Sequence, residues 1–247
     1  MPDRTLVVVI TKTALRSEAG LERLLDAFDN VEGFTPTHWG QDERARDPYD
    51  RTQLIREVSS LKGEFGMPGL QRRKPPRYKA YFSAKNGGVK IVNVEFSSTL
   101  SEKELPRVFS FGDALAEQLK AEFGIVHLAW NEGHQEYNAS GVITVDELQK
   151  YGPTRVCART WFGPHIVRLI GEERLRTSGA LVKKTSWGGV QLDLMERPWE
   201  SNVEALSARQ DEVMRQLAPS GIFGDYSQFL NYKQGANWVS IPVEDAA

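Results

Sequence analysis

The spacing of apolar and polar residues along this chain switches repeatedly between the period of a strand and that of a helix. Thr5 to Thr11 is a run of mostly β-branched residues, apolar on both faces, which predicts a strand buried on both sides. Leu21, Leu24, Leu25 and Phe28 then recur at helical spacing behind a capping Ser17. Phe34 to Trp39 reads as extended, because Pro36 is out of place inside a helix. Asp50, with Gln53 three residues on, resembles a capping box opening a helix with the stripe Leu54, Ile55, Val58 and Leu61. The glycine- and proline-rich GEFGMPGLQRRKPPR predicts a loop. Arg77–Ser83 and Val89–Phe96 flank Asn86-Gly87-Gly88, the strongest hairpin signal in the chain.

Ser101, Glu104 and Pro106 open a third helix. Its apolar side is Leu105, Val108, Phe109, Leu115, Leu119 and Phe123, with Gly124 as the terminating residue. Ile125 to Trp130 is the next strand. Residues 132–152 are polar and glycine-spotted, with one short element at 141–148. Pro164 fits the first position of a helix striped by Ile166, Val167, Leu169 and Ile170 and ended by Gly179. Val182–Thr185 and Val190–Met195 form a second hairpin around Trp187-Gly188-Gly189. Ser201 with Glu204 caps a last helix that Pro219 stops, and Trp238–Ile241 is placed as a closing strand. The expected class is α+β: an antiparallel or mixed sheet with two hairpins, helices mainly on one side, and two similar helix–hairpin–helix halves. The expected organisation is one domain over 1–247, with a subdivision near 133–152 if any.

Composition narrows the function classes. The chain has 247 residues, 40% of them hydrophobic, and a net charge of −2, which gives no global field toward nucleic acid or an anionic membrane. One cysteine makes no internal disulfide and suits a reducing compartment. The apolar run Leu6–Ile10 is too short for a signal or a membrane span, so the expected location is cytoplasmic.

Four groupings offer chemistry. Cys157 upstream of His165 has the residue types of a thiol hydrolase, but VCART reads as buried strand and His165 as a first-turn residue. Glu132, His134 and Glu136 alternate as metal ligands on a strand would, with no second ligand cluster beside them, so no metal and no cofactor are expected. Arg72, Arg73, Lys74 and Arg77, followed by Tyr78 and Tyr81, suit phosphates and bases. The net charge favours a solubilising or partner-facing loop instead. Asp42, Glu43, Asp47 and Asp50 alternate with Arg44, Arg46 and Arg51 behind Trp39; compensated surface salt bridges are the plain reading and a partner-facing patch the sharper one. The phosphate-cradling glycine motifs and the GxSxG elbow are missing from the sequence.

PTHWGQDERARDPYDRTQLI, RTWFGPHIVRLIGEERL, the WGGVQLDL hairpin and RPWE together resemble the immunity protein 52 family. A weaker likeness is to a neighbouring family of type VI secretion immunity proteins. The resemblance covers most of the chain and implies an antitoxin without catalytic residues, binding a cognate toxin that is often a nuclease. Inhibition would be steric and electrostatic, carboxylates entering a cleft built for phosphates. On that reading Asp42, Glu43, Asp47, Glu132 and Glu136 are the acidic contacts and Trp39 the anchor, and the basic loop 72–77 lies off the interface. The alternatives are a nucleic-acid-binding accessory protein that uses the basic loop, and a Cys/His hydrolase.

Overall fold

The computed structural model describes residues 2–61, 66–96, 100–130, 144–228 and 230–243. Ten strands hydrogen-bond into one open sheet, antiparallel at every junction. They are β1 (Arg4–Thr11), β2 (His38–Gly40), β3 (Asp47–Pro48), β4 (Gly69–Arg72), β5 (Tyr78–Phe82), β6 (Lys90–Phe96), β7 (Phe123–Ala129), β8 (Arg159–Phe162), β9 (Leu181–Lys184) and β10 (Val190–Asp193). Their spatial order is β3-β2-β4-β5-β6-β1-β7-β8-β10-β9. The helices are α1 (Glu18–Asp29), α2 (Arg51–Ser59), α3 (Leu105–Leu119), α4 (Val145–Tyr151), α5 (Pro164–Ile170), α6 (Glu172–Thr177) and α7 (Val203–Leu217). The class is α+β, as the pattern predicts.

The register aligns one residue from every strand into a single row: Asp47, Trp39, Leu70, Ala80, Val94, Val7, Val126, Arg159, Asp193 and Leu181. Directly opposed residues share a face, so this row lies on the face that α3 covers. Phe28 of α1 and Phe111 of α3 stand over it with ring centroids 4.9 Å apart, and Phe34 stacks on Phe111 at 4.7 Å. The row is apolar in its middle, charged at Arg159 and Asp193, and exposed at both ends. On the opposite face, Val182 of β9 and Val190 of β10 meet Leu175 of α6. At this end of the sheet α6 therefore covers the face opposite the one that α3 covers.

Local caps set most boundaries. Ser17 accepts from the Gly20 amide at 3.1 Å and Asp50 from the Gln53 amide at 2.9 Å. The Gln53 side chain reaches Glu57 at 2.7 Å, so the reciprocal half of that capping box is not made. Glu104 bonds back to the Ser101 amide at 2.7 Å, but the helix proper starts at Leu105. Asn202, one residue beyond the expected Ser201, caps α7.

Four expectations are corrected. The GEFGMPGLQRRKPPR stretch contains β4, whose backbone pairs on both sides and overrides its loop-like composition. Phe123 and Gly124 belong to β7, and Lys120, with φ of 50°, ends α3 in their place. Gly171, with φ of 90°, breaks the helix after Pro164 into α5 and α6 before Gly179 is reached. Trp238–Ile241 is not a strand. The Gln149 side chain holds it by accepting from the Ile241 amide at 2.8 Å and donating to the Ile241 carbonyl at 3.1 Å. The short element expected at 141–148 is α4, a turn later. The two hairpins, β5–β6 and β9–β10, occupy different places: the first is interior to the sheet, the second ends it.

Candidate functional site

Most residues of the motif RTWFGPH are accounted for as architecture. Arg159 is directly opposite Asp193 and holds it through two bonds, Nε to Oδ1 at 2.5 Å and Nη2 to Oδ2 at 3.0 Å. Its Nη1 reaches Asp113 of α3 at 2.8 Å, and its guanidinium lies 5.2 Å from the Phe109 ring centre. Burial pushes the Asp113 carboxyl up to about 6, against the pull of Arg159 and with the help of Asp193. Trp161 is wedged between two glycines. A Cβ on Gly112 of α3 would stand 2.8 Å from its Cη2, and one on Gly124 of β7 3.0 Å from its Cε3. A Cβ on Gly163 would meet the Glu122 backbone at 2.8 Å, and Pro164 opens α5 as expected.

The Trp-Gly-Gly hairpin is equally structural. Trp187 Nε1 donates to the Ala121 carbonyl at 3.1 Å, and Ser186 donates to Glu117 at 3.2 Å, clipping the turn onto the end of α3. Gly188 has φ of 86°, a conformation that disfavours a side chain. Between this clip and the sheet lies a cleft of about 270 Å³ lined by Asp113, Glu117, Trp161, Lys183, Trp187 and Gln191 among others. Trp199 packs edge-on to Phe109 at 5.0 Å.

Cys157 is buried, and burial pushes its thiol up to about 12, far from a thiolate at neutral pH. His165 Nε2 bonds the Val239 carbonyl at 2.8 Å, and its ring meets Trp238 edge-on. Each is thus committed to packing. Glu132, His134 and Glu136 lie outside the described residues.

Trp39 is 1% exposed and pairs with Leu70 in the sheet interior, so it anchors the core and offers no ring to a partner. The acidic residues named with it are exposed: Asp42 and Glu43 in the β2–β3 turn, and Asp47 on the edge strand itself. Asp42 accepts from the Arg44 amide at 2.8 Å, which folds the turn. Behind them α1 and α2 add Glu22, Asp26, Asp29 and Glu57, with Arg51 bridging Asp26 at 2.7 Å and Asp29 at 2.9 Å. Residues 17–61 carry ten carboxylates against five arginines. This end of the molecule is an acidic shoulder that extends beyond the few residues named from the sequence.

The basic loop does not stand apart from that shoulder. Arg73 donates its guanidinium to the Ala45 carbonyl at 3.4 Å and its amide to Thr37 at 3.0 Å, so loop 72–77 abuts the acidic turn. β2 pairs with β4, and pairing brings their ends together, so the loop expected to lie off the interface adjoins the acidic turn. Arg72 is spent on the Thr35 and Pro75 carbonyls. Arg73, Arg77 and Lys79 line a cleft of about 400 Å³ with Gln71 and Glu95. Glu95 is paired with Arg4 at 2.8 Å, and among the described residues Arg77 and Lys79 have no ion-pair partner.

No family model matches the chain, and no curated protein matches it. These comparisons do not show the resemblance to the immunity protein 52 family, which rests on the sequence motifs alone. Among solved structures the chain is similar to the Pseudomonas aeruginosa T6SS protein PA0821, with 16% identity, a TM-score of 0.56, and coverage of 86% of this chain and 75% of that one. At this identity the likeness is one of fold. No described helix is long and apolar enough to cross a membrane.

Proposed function

We propose that this chain is an immunity protein that binds and neutralises a cognate bacterial toxin, a nuclease, in a type VI secretion setting. The observation that carries the reading is the fold shared with a T6SS protein over 86% of the chain. The explained motifs support it: the residues that resemble the immunity families build the sheet and its clip, leaving recognition to the surface. The acidic shoulder around Asp42, Glu43 and Asp47 supplies the charge that a phosphate-binding cleft attracts. Action is by occlusion in the cytoplasm, without catalysis or cofactor, and affinity is set by the dissociation rate.

Co-expressing the chain with the toxin encoded beside it tests this. Cells survive and the two proteins copurify if the reading holds; undiminished killing without a complex rejects it. A second reading, nucleic-acid binding, is favoured by Arg77 and Lys79, which have no ion-pair partner among the described residues, in the cleft of about 400 Å³. A low-salt mobility shift with single-stranded DNA, lost in an Arg73→Ala/Arg77→Ala/Lys79→Ala variant, would establish that reading in place of the first.

A further inference from the structure

The two edges of the sheet are not equivalent. The β3 edge has two residues, one of them Pro48, and is ringed by charge. Such an edge is closed to strand pairing. The β9 edge has four residues without proline, and Leu181, where it begins, is 51% exposed. Thr185 donates its amide to Gly189 at 3.0 Å. Antiparallel alternation then makes Lys183–Gln191 and Leu181–Asp193 the bonded pairs of the β9–β10 ladder. The amides and carbonyls of Val182 and Lys184 consequently point away from β10, toward solvent. Beside them a groove of about 240 Å³ is lined by Leu175, Val182 and Val190 with Glu172, Arg176 and Lys184.

We propose that this edge is a docking site for an acidic, extended segment of a partner protein, added as an eleventh strand. The four outward backbone groups supply the ladder. Side chains of the added strand alternate between faces. Those opposite Val182 and Lys184 turn into the groove and are apolar. The one opposite Lys183 turns to the α3 face and is a carboxylate. Lys183 makes no salt bridge among the described residues and acts on Asp113 only at longer range, and the Lys184–Glu172 pair, at 3.4 Å between side chains more than 70% exposed, holds Lys184 only loosely. A second copy of this chain is a poor occupant. The twofold register that uses all four outward groups sets Lys183 directly opposite its own counterpart, and like charges so placed repel.

The test uses the whole chain and two ten-residue probe peptides, one alternating valine with glutamate and the other valine with lysine. Amide exchange is read at Val182 and Lys184. The valine–glutamate peptide is expected to slow both amides at least tenfold and leave Leu181 and Lys183 unchanged, while the valine–lysine peptide does neither. Val182→Pro removes an outward amide without touching the β10 ladder and should abolish the effect. Lys183→Glu/Lys184→Glu should invert the preference between peptides. Equal response to both peptides, response to neither, or protection confined to the Arg77–Lys79 cleft overturns the proposal. So does a concentration-dependent dimer that Val182→Pro dissolves, which would make a second copy the occupant.

Discussion

Arg159 sits where a strand ladder, a helix and an aromatic ring converge, and its two carboxylates are not equivalent. Removing it strands Asp193, whose side chain is 13% exposed, so Arg159→Ala should cost on the order of 3 kcal/mol in denaturant unfolding. Replacing both Arg159 and Asp193 by leucine should cost less than the single change, because Asp193 is then not stranded and the side chain of Asp113, which also loses Arg159, is 42% exposed. Asp113 makes a different prediction. An acid whose pKa rises on folding favours the folded chain at low pH and loses that contribution as pH rises through its folded value, here about 6. Between pH 7 and pH 5 the wild-type melting temperature should therefore rise relative to Asp113→Asn; parallel melting curves would refute this. Cys157 should resist iodoacetamide in the native chain at pH 7.5 and react only on unfolding, and a thiol titratable in the folded state would contradict its burial. At this scale the sequence was partly readable. VCART declared a buried thiol through its apolar, β-forming surroundings. Nothing in it joined Arg159 to Asp113, 46 residues away, because that contact exists only once α3 crosses β8. Trp39 misled because its turn-like neighbours, Gly40 and the charges after it, are local features, whereas its burial comes from Leu70 on a strand hidden in a glycine-rich stretch.

Helix α3 carries a glycine in its middle that propensity alone would remove. Gly112→Ala should gain about 1 kcal/mol of helix propensity. The new Cβ would meet Trp161 at 2.8 Å, an overpacking cost of about 1–3 kcal/mol. The net prediction is a destabilised protein, restored in part by Trp161→Phe; a stabilised Gly112→Ala would show that the indole moves freely. Elements with strong periodicity or a turn signal were legible: β1, α1, both hairpins and the proline-led α5. Those defined by partners were not. β4 is a strand because β2 and β5 flank it, and the Trp238 segment is held by the side chain of Gln149 in place of a neighbouring strand. The Gly171 break could have been weighed from the glycine in IGEE, but the apolar stripe on both sides concealed it.

Taken whole, the molecule is an open-sheet scaffold with an acidic shoulder at one end and an exposed, lysine-bearing strand at the other. The α+β class followed from hairpins placed between helices, while the spatial order of ten strands did not, since long-range pairing leaves no mark on local pattern. If the shoulder meets a basic toxin cleft, Asp42→Asn/Glu43→Gln/Asp47→Asn should slow association on the order of tenfold at low ionic strength, and the difference should shrink in 0.5 M salt, about the range where surface charge is screened. An unchanged association rate would move the interface elsewhere without touching the fold. The proposal that the protein acts by binding a toxin is tested most directly by titrating it into the purified cognate toxin, reading heat and toxin activity together. The account predicts a complex of nanomolar affinity or tighter, with activity falling in step with occupancy; toxin that stays fully active at a micromolar excess of this chain, with no heat of binding, would contradict it.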